Sequence, residues 1–155
     1  MTTMKSVDQW LNAYGESHQN PVNKSIHWIC IPLILLSLIG ILATVPMPFV
    51  GGGFFHWGTV AIVLSVVYYA TLSRPLAVGM GAVGGTALLG VALLSQLPVP
   101  LWLTSVVIFT GAWVGQFIGH KIEGKKPSFF EDLQFLMIGP MWLLADAYRR
   151  AGLKY

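Results

Sequence analysis

Four long apolar stretches follow one another along the chain, separated by short breaks rich in proline and glycine. A helix needs roughly 20 apolar residues to cross about 30 Å of hydrocarbon, and backbone groups cannot stay unpaired in lipid. The pattern therefore predicts an all-α integral membrane protein, a four-helix bundle that forms a single membrane domain over residues 1–155. The predicted spans are residues 26–45, 55–72, 77–97 and 101–119.

Two further segments flank these spans. Near the N-terminus, a serine followed three residues later by a glutamine has the pattern of a capping box. The amphipathic helix predicted after it places Leu11, Tyr14 and His18 on one face. Near the C-terminus, an apolar run is too short to cross a bilayer, and Pro140 interrupts it. Residues 133–148 are therefore predicted to form an interfacial or re-entrant helix.

The charged residues are few and lie at the two ends of the chain. They make up 10% of the sequence, against about 25% in an ordinary soluble domain, and Arg74 is the only one within residues 26–119. Ionised groups are costly in hydrocarbon, so this distribution supports a membrane domain embedded in a lipid bilayer. It also excludes a nucleic-acid binder, although the pI is about 9.2.

The positions of lysine and arginine predict the orientation in the membrane. With four spans, both termini and the loop with Arg74 lie on one side, and every Lys and Arg lies on that side. The positive-inside rule makes that side cytoplasmic. A bacterial inner membrane and the endoplasmic reticulum both satisfy this prediction for a multi-pass protein.

The third predicted span contains a glycine pattern that favours close helix packing. Gly81 and Gly85 form a G-x-x-x-G motif, which lets two helix backbones approach each other. The motif can serve packing within one bundle or the formation of a homodimer, and both interpretations stay open.

Histidines from separate segments are the main chemical signal in the sequence. The predicted topology brings His18, His27 and His120 to the cytoplasmic face, whereas His56 lies in the first loop on the opposite side. Histidines with one carboxylate are the ligands of many non-haem iron sites, and zinc accepts the same ligands. The alternative is a non-catalytic four-helix scaffold or lipid-binding protein whose histidines only anchor the membrane interface.

Helix geometry adds neighbours to two of these histidines. Gln116, His120 and Glu123 lie on one stripe of the fourth predicted span if that helix continues past residue 119. Glu123 is therefore predicted to join His120 as a metal ligand. Asn23 and His27 share a face in the same way at the start of the first span.

The motifs that hold these residues resemble a known membrane family, the 2-hydroxy fatty acid dioxygenases, whose best-known members are fungal proteins of the endoplasmic reticulum. The matching motifs are H-Q-N-P-V-N-K-S-I-H at residues 18–27 with Ile31 and Pro32 after it, W-V-G-Q-F-I-G-H at residues 113–120 with Glu123, Lys126 and Pro127 after it, and Gly139–Pro140. The resemblance covers about residues 14–146. The chain departs from the family at Ser128 and Phe129, where Ala and Leu are common, and at Asp146, where Glu is common.

The resemblance implies an Fe(II)-dependent enzyme of fatty acid α-oxidation. Such an enzyme takes a 2-hydroxy fatty acid and O₂, and it releases CO₂ and a fatty acid one carbon shorter. The family's expected iron ligands are histidines, which implies that His18, His27 and His120 are the catalytic residues here.

The resemblance also suggests where the substrate lies. The acyl chain is expected between the spans, against residues such as Leu35, Ile39 and Val107. Its carboxylate and 2-hydroxyl then reach the cytoplasmic interface, where Lys24 or Lys121 attracts the carboxylate. Asn23 and Gln116 complete the set of predicted substrate contacts.

Overall fold

Helices make up the whole of the regular structure in the part of the chain that the computed structural model describes, which is residues 6–48, 54–127 and 134–155. No strand occurs in these residues, so the prediction of an all-α protein is confirmed. The helices are α1 (Val7–Gly15), α2 (Pro21–Ala43), α3 (Trp57–Leu72), α4 (Arg74–Leu94), α5 (Leu101–Glu123) and α6 (Phe135–Arg150).

Three of the described helices are long and apolar enough to cross a membrane, namely α2, α4 and α5. The apolar helix α3 has 16 residues, which is about 24 Å at 1.5 Å per residue. It is therefore shorter than the roughly 30 Å hydrocarbon core. These helices support a membrane protein, while a bundle of four spanning helices remains a prediction.

The helices α2 and α4 begin several residues before the predicted spans 26–45 and 77–97. Asn20 caps α2 with its side-chain oxygen, and Pro21 occupies the first helical position. Ser73 caps α4 in the same way. Capping requires polar residues, so the apolar pattern marks the lipid-facing length of a helix and leaves out its first turn.

The C-terminal end of α5 carries two of the predicted site residues. The helix continues past residue 119 to Glu123, and Gly124 ends it in the left-handed conformation with φ 73°, which glycine adopts without strain. His120 and Glu123 therefore lie in the last turn of a regular helix, as the stripe on the fourth span required.

Both flanking helices pack at the end of the bundle where α5 finishes. The predicted capping box of α1 is confirmed, because Gln9 Oε1 accepts from Ser6 N–H at 2.8 Å and Ser6 Oγ accepts from Gln9 N–H at 3.3 Å. The helix α6 contacts α1, α4 and α2, and it runs without a break through Pro140. Residue 133, where this segment was predicted to begin, lies outside the described residues.

Glycines allow the helices to approach closely around α2. A Cβ atom added at Gly115 of α5 would lie 2.6 Å from Cys30 Sγ of α2, so this contact requires glycine. In α4 a Cβ would lie 2.6 Å from Ile62 of α3 at Gly84 and 2.7 Å from Leu36 of α2 at Gly90, whereas Gly85 faces open space. Packing within the molecule therefore uses glycines of α4 other than Gly85, and the homodimer stays a prediction.

Candidate metal centre

Three histidines from three segments meet where α2 begins and α5 ends. His18 lies in the turn between α1 and α2, His27 in the second turn of α2, and His120 in the last turn of α5. Their exposed fractions are 0%, 1% and 5%, and one ring nitrogen from each lies within 4.8 Å of the other two. The structure thus brings together the three histidines that the sequence singled out.

Backbone carbonyls fix the tautomers of two of these rings. The Nδ1–H of His18 donates to the carbonyl oxygen of Tyr14 at 2.6 Å, and the Nδ1–H of His27 donates to that of Asn23 at 2.9 Å. A carbonyl oxygen can only accept, so Nδ1 carries the proton, and Nε2 of each neutral ring has a free lone pair. Metal-binding histidines commonly donate their second nitrogen to a carbonyl in this way.

The two unprotonated nitrogens face each other directly. His18 Nε2 lies 2.9 Å from His27 Nε2, and two lone pairs at this distance repel. A cation bound to both lone pairs removes the repulsion. Two nitrogens that each lie about 2.1 Å from one ion, on perpendicular bonds, are about 3 Å apart, which is close to the observed distance. The arrangement of the pair therefore fits a metal ion.

The third ring offers a nitrogen in need of a partner. His120 Nδ1 is buried and makes no hydrogen bond among the described residues, although buried polar atoms are normally paired. Its ring centroid lies 5.0 Å from that of His18 and 4.9 Å from that of His27.

Burial also lowers the pKa of His18 to about 4, so the His18 ring is neutral at pH 7, as a metal ligand must be.

Aromatic side chains hold the ring of His18 in place. The Tyr14 ring stacks on it with a centroid distance of 4.1 Å and an interplanar angle of 11°, and Trp142 of α6 lies 5.5 Å away. The sequence placed Tyr14 on the face of His18 without indicating this role. The contact with Trp142 joins residues far apart in the chain, and no local spacing could have revealed it.

Glu123 is engaged by the segment between His18 and His27. Its Oε1 accepts from Gln19 N–H at 2.8 Å, and its Oε2 accepts from Asn20 N–H at 2.9 Å and from Asn23 Nδ2–H at 3.0 Å. Among the described residues, the group of candidate ligands contains the three histidines and no carboxylate. The hydrogen bonds tie the end of α5 to the turn before α2.

The predicted substrate contacts differ in how they are placed. Gln116 is buried, one turn before His120 on α5, and lines a cavity that His120 also lines. Asn23 is fully buried but is engaged with Glu123. Lys24 is half-buried and Lys121 is exposed, and neither lines that cavity.

The cavity starts at His27 and His120 and has a volume of about 460 Å³. This volume lies within the usual range for a small-molecule site, about 300–1,000 Å³. It follows one face of α2 from His27 to Leu42, a rise of about 22 Å. The expected contacts Leu35 and Ile39 line it. The expectation for Val107 is wrong, because that side chain is exposed on the outer face of α5.

Gln116 is an unusual polar group in this apolar cavity. Its side chain is 6% exposed, and its Oε1 has no hydrogen-bond partner among the described residues. A buried amide without a partner is costly, so this position fits a polar ligand group close to the histidines.

His56 lies apart from this site. It is the N-terminal cap of α3, where its Nδ1 accepts a hydrogen bond from Thr59 N–H at 3.4 Å. The opposite end of α3 lies near α6, because Tyr69 Oη donates to the carbonyl oxygen of Met137. The position agrees with the expectation that His56 is separate from the other histidines.

Fold and site together define an all-helical membrane protein with a buried histidine group that opens onto a long apolar cavity. The chain belongs to the family described as 2-hydroxy-palmitic acid dioxygenase Mpo1-like, whose family model matches residues 4–151. It is similar to the 2-hydroxy-palmitic acid dioxygenase MPO1 of Saccharomyces cerevisiae, with 28% identity over 147 residues that cover 92% of this chain and 79% of the relative. No solved structure matches the chain.

Proposed function

We propose that this chain is an Fe(II)-dependent dioxygenase of fatty acid α-oxidation. The balanced reaction converts one 2-hydroxy fatty acid and one O₂ into a fatty acid one carbon shorter, one CO₂ and one water. The bond between C1 and C2 breaks, and O₂ is reduced as both carbons are oxidised. The observation that carries the proposal is the facing pair of unprotonated nitrogens, His18 Nε2 and His27 Nε2, at the head of the apolar cavity.

His18, His27 and His120 would hold the iron through one nitrogen each. When bound, the iron supplies the redox chemistry by which O₂ reacts with the substrate. Three protein ligands leave positions for O₂ and for substrate oxygens, which is the usual arrangement in non-haem iron oxygenases. Glu123 was predicted from helix spacing as a fourth ligand, but its three hydrogen bonds support a role in holding the histidine segments together.

The chain's own residues would orient the substrate. The cavity receives the acyl chain and excludes water from it, while the unpartnered Oε1 of Gln116 accepts a hydrogen bond from the 2-hydroxyl of the substrate. Lys24 and Lys121 contribute positive charge at the same end of the molecule and attract the carboxylate from a distance. Asn23 acts on the site through its hydrogen bond to Glu123.

The orientation in the membrane belongs to the same proposal. We infer that both termini and the histidine group lie on the cytoplasmic side, as the distribution of lysine and arginine predicts. The enzyme would then take its substrate from the bilayer and bind iron and O₂ near the cytoplasmic surface.

The test begins with anaerobic purification and reconstitution with Fe(II). The purified protein should hold near-stoichiometric iron and convert 2-hydroxypalmitate to a product one carbon shorter, with O₂ consumed and CO₂ released in equal amounts. His27→Ala and His120→Ala should each abolish turnover and lower the iron content, while the protein still inserts into membranes. Turnover that survives in both variants would refute the proposal.

The second candidate is a lipid-binding protein without catalysis, and the apolar cavity is the observation that favours it. Such a protein binds fatty acids equally well with and without iron. Fatty acid binding together with no retained iron after reconstitution would establish this alternative, since a dioxygenase requires the metal.

A further inference from the structure

The far end of the cavity can be located from the packing of the helices. A Cβ atom added at Gly58 of α3 would lie 2.8 Å from the side chain of Ile39 of α2, so the start of α3 lies beside the end of α2. The first α3 residue that lines the cavity is Ala61, one turn further on. The side chain of Ala61 is smaller than those of Ile62 and Phe109, which also line the cavity.

The position of Ala61 along the axis of α2, measured from His27, can be compared with the positions of residues on α5. Gly115 of α5 lies beside Cys30 of α2, and Phe109, which lines the cavity, is six residues closer to the far end. At 1.5 Å per residue, Phe109 and Ala61 both lie about 14 Å beyond His27. Past this level the lining is confined to α2, where Leu42 is the last residue.

We propose that the part of the cavity lined by Ala61 and Phe109 admits the distal third of the acyl chain and that Leu42 sets the longest chain accepted. The inference rests on the proposed function, because it assumes that the polar head of a 2-hydroxy fatty acid lies at the histidines. A chain advances about 1.3 Å per carbon in a zigzag of 1.5 Å bonds. The distance to Leu42 thus accommodates about 17 carbons, and the distance to Ala61 about 11.

Two variants test opposite consequences. Ala61→Phe fills this part of the cavity, so the preferred chain should shorten by about six carbons, with a loss of about fourfold for each methylene that no longer enters. Leu42→Ala lengthens the cavity by the volume of three carbons, so the preferred chain should become longer by about two carbons. The control is Leu64→Phe, since Leu64 is on α3 but faces outward and is exposed.

The measurement has two independent readouts on the full-length protein in detergent. One is kcat/KM for 2-hydroxy fatty acids of graded chain length, and the other is displacement of a fluorescent fatty acid from the metal-free protein by unsubstituted fatty acids of the same lengths. The binding profile does not require catalysis. If no protein turns over any substrate while the binding profiles shift as expected, the proposed function fails and the assignment of the cavity end stands.

The opposite outcome overturns the inference. A chain-length profile that is unchanged in both Ala61→Phe and Leu42→Ala, with turnover retained, would show that the acyl chain leaves the cavity before this level. If Ala61→Phe fails to fold, the profile of Leu42→Ala alone decides. Equal shifts in Leu64→Phe would also refute the inference, because that side chain does not reach the cavity.

Discussion

Replacing Glu123 by alanine separates two roles that a carboxylate beside a histidine group can have. In the structure, three donors converge on this carboxylate, and all of them belong to the segment between His18 and His27. Asn23 is fully buried, so its amide loses a charged partner that water cannot replace. The two backbone donors, from Gln19 and Asn20, lie closer to the surface and regain hydrogen bonds to water.

The expected magnitude follows from these differences. A buried hydrogen bond to a charged group contributes about 1.5–3 kcal/mol, and each bond that water can replace contributes about 0.5 kcal/mol. Glu123→Ala should therefore lower the free energy of unfolding of the metal-free protein by about 2.5–4 kcal/mol. The iron affinity should fall as well, because the turn that carries His18 is no longer fixed to α5.

The assay is unfolding of the metal-free protein in detergent, followed by a titration with Fe(II). The matched control is Glu16→Ala, which removes the same charge from an exposed position near the same end of the molecule. If metal-free Glu123→Ala is as stable as the wild type but fails to hold iron, Glu123 is a ligand, and its assignment as a brace between segments is refuted.

Three further predictions concern other residues of the site and the cap of α3. His56→Ala should cost about 0.5–1 kcal/mol as a lost helix cap, with iron content and turnover retained; loss of iron would show that His56 belongs to the metal site. Gln116→Leu should lower kcat/KM about tenfold, the effect of one lost hydrogen bond of about 1.4 kcal/mol, at unchanged iron content, and unchanged kinetics would exclude a substrate contact. Burial lowers the pKa of His18 to about 4, below its value of about 6.5 in the unfolded chain, so acid favours unfolding. The stability of the metal-free protein should stay constant just above pH 6.5 and fall by up to about 3 kcal/mol as the pH is lowered from about 6.5 to about 4. A free energy of unfolding that does not change between these two pH values would refute the prediction.

The sequence predicted the helices and the convergence of the three histidines because both depend on simple constraints. Lipid requires long apolar helices, and the alternation of spans brings His18, His27 and His120 to one face. Short-range spacing also identified the stripe on α5 that carries Gln116 and His120. These features follow from periodicity and topology alone.

Other features were missed from the sequence alone. Val107 was expected at the cavity, but the stripe that carries Gln116 and His120 continues at helical spacing to Phe109, which lines the cavity, and Val107 lies on the opposite face of α5. The partners of Glu123 are about a hundred residues away in the chain, and the spacing of Glu123 from His120 could not distinguish a ligand from a brace. The early start of α2 depends on the cap at Asn20, which the apolar pattern does not include.

If the proposed iron binds, the facing nitrogens of His18 and His27 would link the supply of metal to the lifetime of the protein. Without an ion, the folded state carries the repulsion of the pair, and its stability would rise as the metal concentration rises above the dissociation constant. A cell short of that metal would therefore hold a less stable population, which membrane proteases remove faster. Abundance as well as activity would follow the metal, with no separate regulator.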